Sequence, residues 1–142
     1  MAEIHLDHVA RATTDVQRLA RFYEEVFGFQ RMDVPNFGFE VVWLSTVPPS
    51  ITLHIIQKNP NSNLPESPHS AGPDVNRKDL ELLPRSHHIS LGVPDYDGFV
   101  KSLKEKGIPI YEKTQQEGKI KQVFFCDPDG NGLEVGNWAR RQ

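Results

Sequence analysis

With 142 residues, 37% of them hydrophobic and 25% charged, the chain has the composition of an ordinary globular protein and the length of one domain. A net charge of −3 without a basic block argues against nucleic acid as its main partner. No apolar run approaches the ~20 residues that span a bilayer, so no membrane partner is expected. A single cysteine, Cys126, excludes an internal disulfide and a cysteine-based zinc site. The start, Met-Ala-Glu-Ile-His-Leu-Asp-His, lacks the basic and apolar regions of a signal peptide, and the expected location is the cytoplasm. Six histidines stand out.

In chain order the sequence reads as the same unit twice, offset by 80 residues. The first copy opens with His8-Val-Ala-Arg-Ala-Thr-Thr-Asp15, a short strand leading to an aspartate placed as a helix N-cap. Val16, Leu19, Ala20 and Tyr23 then mark one face of an amphipathic helix, and Gly28 stands where a C-cap belongs. A weak strand around Gln30–Asp33 precedes two strand-like runs, Phe39–Ser45 and Ile51–Gln57. Asn59–Arg85 is rich in Pro, Ser and Asn and shows no apolar period before Leu80–Leu83. A connection this long is usually functional, and it reads as a linker draped in part over the site. The second copy begins with His88-Ile-Ser-Leu-Gly-Val-Pro-Asp95 and continues with Tyr96, Phe99, Val100 and Leu103. Gly107, a weak strand over Pro109–Lys113, and the runs Lys119–Cys126 and Gly132–Gly136 follow. Pro48 and Pro128 mark the equivalent turns. The expectation is an α+β protein of tandem βαβββ modules within one domain: module one 1–58, linker 59–85 and module two 86–142.

The duplication makes the histidines informative. His54 follows His8 by 46 residues, and Glu134 follows His88 by the same 46. Four metal-capable side chains thus fall at two pairs of equivalent positions, on the first and last strand of each copy. A lone strand histidine is more often packed or solvated than ligating. A set matched by a repeat points to a metal site of His8, His54, His88 and Glu134, with His54 resting only on its equivalence to Glu134. Imidazole and carboxylate suit Zn, Ni, Fe, Co or Mn. Strand parity turns His5 away from the face of His8, and His87 away from that of His88. His69 falls in the linker.

The elements Leu6-Asp-His-Val-Ala10, His88-Ile-Ser-Leu and Asp127-Pro-Asp-Gly-Asn-Gly-Leu-Glu134-Val resemble the glyoxalase I branch of the vicinal oxygen chelate superfamily. The resemblance covers nearly the whole chain and is closest to the short glyoxalase-I-like proteins of plants. It implies two modules curving into a half-open barrel around one divalent metal, usually in a homodimer. It also implies bidentate chelation of a small-molecule substrate, with His8, His54, His88 and Glu134 in the ligand places and Glu134 as the proton-transferring base. The implied reaction is that of an isomerase or lyase of lactoylglutathione lyase type, acting on an α-hydroxy-carbonyl or thiohemiacetal. The alternatives are an Fe(II) dioxygenase with a His8, His88 and Glu134 triad, and a diverged glutathione-independent isomerase or metabolite-binding protein. Where glutathione-using relatives carry arginine, this chain has Ala12, and Arg11 is out of parity; where they carry asparagine, it has Lys58. Relatives usually have glutamate at the place of His54. Weak use of glutathione is the expected consequence, with Val42, Leu44 and Phe124 as apolar liners of the pocket.

Overall fold

The computed structural model describes residues 2–64 and 75–140. They form two compact units, divided between Leu64 and Pro65. His69 and the rest of 65–74, the middle of the predicted linker, lie outside the described residues.

In the first unit β1 (His8–Thr13) leads into α1 (Val16–Phe27), followed by β2 (Gln30–Met32), β3 (Val41–Ser45) and β4 (Thr52–Gln57). The sheet order is β1-β4-β3-β2, with β1 parallel to β4 and the other pairs antiparallel. Asp15 caps α1 by accepting the Arg18 amide, so one of the helix's unpaired N–H groups is satisfied. The helix ends where Gly28 turns left-handed at φ 70°, a conformation that costs a β-carbon-bearing residue energy. Val16, Leu19, Ala20 and Tyr23 are all buried, and α1 lies against β1, β3 and β4. Leu53, Ile55, Val42 and Leu44 are buried with it, and they define the helix-packed face of the sheet.

The second unit repeats the pattern with β5 (Ile89–Gly92), α3 (Tyr96–Glu105), β6 (Tyr111–Gln115), β7 (Ile120–Cys126) and β8 (Gly132–Gly136). Its order is β5-β8-β7-β6, the same topology as the first sheet. Asp95 accepts the Gly98 amide as Asp15 accepts that of Arg18. Here α3 ends two residues before its glycine: Lys106 is the right-handed C-cap, and Gly107 supplies the positive φ of 70°. Tyr96, Val100 and Leu103 are buried, and Phe99 meets Phe125 edge-tilted at 6.1 Å. Between β7 and β8, Asp127 Oδ1 accepts the amides of Asp129 and Asn131, which folds the Asp-Pro-Asp-Gly turn and aims β8.

Three expectations shift. The strand expected at Pro109–Lys113 starts two residues later, where Tyr111 can pair with Phe124; Pro109 has no amide for a ladder, and the Ile108 amide closes the helix end on Leu103. The first-module strand expected from Phe39 starts at Val41, because Gly38 at φ 80° bends the preceding chain, its amide donated to Asn36 Oδ1. The end of the predicted linker is helical: α2 (Arg77–Leu82) and a 3₁₀ turn, Leu83–Arg85, carry a capping box in which Asn76 and Asp79 bond each other's amides. Leu80 and Leu83 bury themselves on Phe124, beside Val75, Tyr111 and Cys126. Among the described side chains of α2 only Leu80 is buried, Leu82 being exposed, so a six-residue helix leaves little periodic signal.

Candidate functional site

Register decides which side chains share a face with the predicted ligands. In the first sheet His8 stands opposite Thr52, while His54 stands opposite both Ala10 and Trp43. The face away from α1 therefore carries His8, Ala10, Ala12, Thr52, His54, Ile56, Val41, Trp43, Ser45, Gln30 and Met32, and its strand positions include no lysine or arginine. Val42 and Leu44, expected to line the pocket, alternate with Trp43 and belong to the helix-packed core, 6% and 0% exposed. Arg11, opposite Ile55, likewise lies on the helix side, and its Nε is buried with no hydrogen-bond partner among the described residues. Ala12 is exposed on the ligand face.

On that face three rings stand in a stack. His54 lies against His8 with centroids 3.9 Å apart and planes 6° from parallel, and against Trp43 at 4.4 Å and 12°. Phe37 meets Trp43 at 6.0 Å, and Phe39 meets Phe37 at 5.8 Å. His8 Nδ1 lies 2.8 Å from Asp7 Oδ2. A carboxylate only accepts, so Nδ1 carries the proton and Nε2 is left bare in the neutral ring. His54 Nε2 lies 3.3 Å from Thr52 Oγ1. Burial, and then the neighbouring His8, lower the His54 pKa and hold the ring neutral. Imidazole lone pairs lie in the ring plane. Rings stacked this closely in parallel offer their nitrogens side by side, so His54 as it stands supports the His8 ring rather than converging with it on one point.

In the second sheet β8 places Glu134 opposite Ser90 on β5 and Phe124 on β7. The residue is 5% exposed, a buried carboxylate that needs donors. Oε2 accepts from the Ser90 hydroxyl at 2.6 Å and from Trp138 Nε1 at 3.2 Å. Oε1 accepts from Gln122 Nε2 at 3.4 Å and faces His88 Nε2 at 3.3 Å. His88 Nδ1 lies 2.8 Å from the Ser86 carbonyl, which can only accept, so Nδ1 holds the proton. In the neutral ring the bare Nε2 then confronts a carboxylate oxygen, an edge that calls for a cation. Two ligand atoms bound to one divalent ion at ~2.0–2.1 Å each stand roughly 3 Å apart, so the residues present fit such an ion. Phe124 shares the Glu134 face as expected, but it is buried under Leu80 and Leu83.

His8 at the start of β1 and His88, which precedes β5 rather than opening it as expected, thus both donate Nδ1–H to an oxygen of the residues just before them, the arrangement typical of metal-bound histidines. Among the described residues, metal-capable side chains approach one another in pairs, with no group of three or more His, Cys, Asp or Glu. Sequence reasoning missed Ser90, Gln122, Trp138 and Trp43. The first two and Trp43 are found only once the register is known, and Trp138 only once the turn after β8 is seen.

Two βαβββ units of one strand order, the first with His8 on β1 and the second with His88 immediately before β5, define a duplicated-module protein of the vicinal oxygen chelate kind. The chain belongs to the Glyoxalase/Bleomycin resistance protein/Dioxygenase superfamily, whose family model matches residues 5–135. It is 30% identical to Glyoxylase I 4 of Arabidopsis thaliana over 135 residues, 93% of this chain and 70% of that protein. Among solved structures it is similar in fold to a lactoylglutathione lyase from Agrobacterium tumefaciens, with TM-score 0.63 and 20% identity over 96% of this chain and 95% of that one. TnmS3, an antibiotic binding protein from Streptomyces sp. CB03234, matches with TM-score 0.66 and 20% identity over 95% and 96% of the two chains. Among the described residues no helix is long and apolar enough to cross a membrane.

Proposed function

We propose that the chain is a metal-dependent isomerase or lyase of glyoxalase I type, which moves a proton α to a carbonyl in an α-hydroxy-carbonyl or thiohemiacetal substrate. The observation that carries this reading is the facing of His88 Nε2 and Glu134 Oε1 at 3.3 Å, with His88 Nδ1 turned to the Ser86 carbonyl. His88 and Glu134 are proposed as ligands of one divalent ion per chain, with His8 as a third, contributed by this chain or by a second copy in a homodimer. His54, expected as a fourth, joins the set only if its stack on His8 parts. Zn, Ni, Co, Fe and Mn all match this donor chemistry.

A bound divalent ion supplies Lewis-acid stabilisation of the oxyanion that forms when a proton leaves the carbon beside a carbonyl. The remaining work falls to the chain. Glu134 is the carboxylate that accepts the substrate proton and returns it to the neighbouring carbon. The Trp43–His54–His8 stack presents flat, weakly polar surface. With no lysine or arginine on the strands of that face, a substrate with little negative charge is favoured over a tripeptide bearing two carboxylates.

The test is proton exchange. Purified protein loaded in turn with each of the five ions is incubated in D₂O with dihydroxyacetone and, separately, with the methylglyoxal–glutathione adduct. Deuterium enters the α position in wild-type protein and not in Glu134→Gln. No exchange and no turnover with any ion contradicts the reading, and oxygen uptake dependent on Fe(II) selects the dioxygenase instead.

A further inference from the structure

Beyond β8 the chain turns back, and Trp138 lies over the end of the second sheet. Gly92 and Gly136, paired across β5 and β8, form the floor beneath it. A β-carbon at Gly136 stands 2.5 Å from the indole Cε2 and Nε1, and one at Gly92 stands 3.3 Å from the Trp138 carbonyl. The two glycines are thus what lets the indole sit so close to the strands. The ring is 40% exposed, so it is a poor cover for apolar surface. Its one polar atom, however, points inward. Nε1 lies 2.9 Å from Ser90 Oγ and 3.2 Å from Glu134 Oε2.

An indole N–H can only donate. Ser90 Oγ therefore accepts from Trp138, and its own proton is directed to Glu134 Oε2, 2.6 Å away. The result is a fixed relay from Trp138 through Ser90 to one carboxylate oxygen. Oε1 has the longer contacts, Gln122 at 3.4 Å and His88 at 3.3 Å, and it is the oxygen turned toward His88.

We propose that Trp138 is a positioning residue: with Ser90 it pins Oε2 of Glu134, so that Oε1 alone is held toward His88 for a divalent ion. This assignment rests on reading His88 and Glu134 as metal ligands. Groups that orient a ligating side chain typically alter metal affinity by 10–100-fold when removed.

The experiment measures Co(II) binding to the full chain by titration calorimetry, alongside the melting temperature of the metal-free protein. Trp138→Phe keeps the ring on its glycine floor and removes the N–H; Ser90→Ala removes the second donor; Ser90→Thr keeps the hydroxyl. The expected result is ~10–100-fold weaker binding in Trp138→Phe and Ser90→Ala, near wild-type binding in Ser90→Thr, and a cooperative metal-free melting transition in all three, lowered where a donor to the buried carboxylate is lost. Wild-type affinity in Trp138→Phe overturns the positioning role and leaves the ligand reading intact. Equal losses in Ser90→Thr and Ser90→Ala overturn it as well, since the hydroxyl then does not matter. A wild-type protein that binds no Co(II) overturns the ligand reading and this assignment with it.

Discussion

Glu134 shows how one residue's role is set by what surrounds it. Its spacing from His88 was legible in the sequence, but the donors that hold it were not, because Ser90 and Gln122 lie 44 and 12 residues away and meet it through the register of β5, β7 and β8, while Trp138 reaches it where the chain turns back after β8. Cys126 makes the opposite point. Burial, and then the Asp127 carboxylate, push its thiol up to about 11, so at pH 8 only about one molecule in a thousand carries the thiolate. Alkylation by iodoacetamide at pH 8 is expected to be roughly 100-fold slower in the folded protein than in urea; equal rates contradict the burial. Tyr96 behaves similarly on the helix side. Burial, with the Glu112 carboxylate that its hydroxyl bonds at 3.1 Å, raises its pKa well above the ordinary phenol value. The unfolded chain loses that proton first, so the stability Tyr96 contributes is complete below pH ~10 and declines as pH rises beyond it. Tyr96→Phe flattens that decline in alkaline denaturation curves.

At the scale of elements, the parts of the sequence with strong local signals appear where periodicity and caps put them. Asp15, Asp95 and the two buried helix faces are local features, read from neighbours in the chain. Asp15→Ala is expected to cost about 1 kcal/mol in urea unfolding, since the Arg18 amide loses its acceptor. Leu103→Ala, which truncates a side chain with no exposed area, costs roughly 2–5 kcal/mol. Strand faces were less legible. Val42 and Leu44 read as pocket liners because parity alone does not say which alternate set faces the helix; the pairing of Trp43 with His54 decides it. The helix α2 was hidden for another reason. Its stability comes from burying Leu80 and Leu83 on a sheet distant in sequence, and a single turn and a half carries almost no period of its own.

For the whole molecule, the duplication was the most legible feature of all, since both sheets share one strand order and a histidine stands at or just before the first strand of each, its Nδ1 turned to an oxygen of the preceding residues. What single-chain reasoning left open is the substrate. The ligand face of the first sheet offers stacked rings and no strand-borne cation, so the methylglyoxal–glutathione adduct is expected to turn over with a kcat/KM well below the ~10⁴–10⁸ M⁻¹s⁻¹ common for enzymes, and Ala12→Arg is expected to raise it by restoring a carboxylate anchor. The claim on which the rest depends is the metal. Elemental analysis of untagged protein, equilibrated with Zn(II) and then dialysed, measures it most directly. The account predicts one ion per chain in the wild type and its loss in His88→Ala and in Glu134→Gln; a wild-type chain that retains no ion, or variants that retain it undiminished, would contradict it.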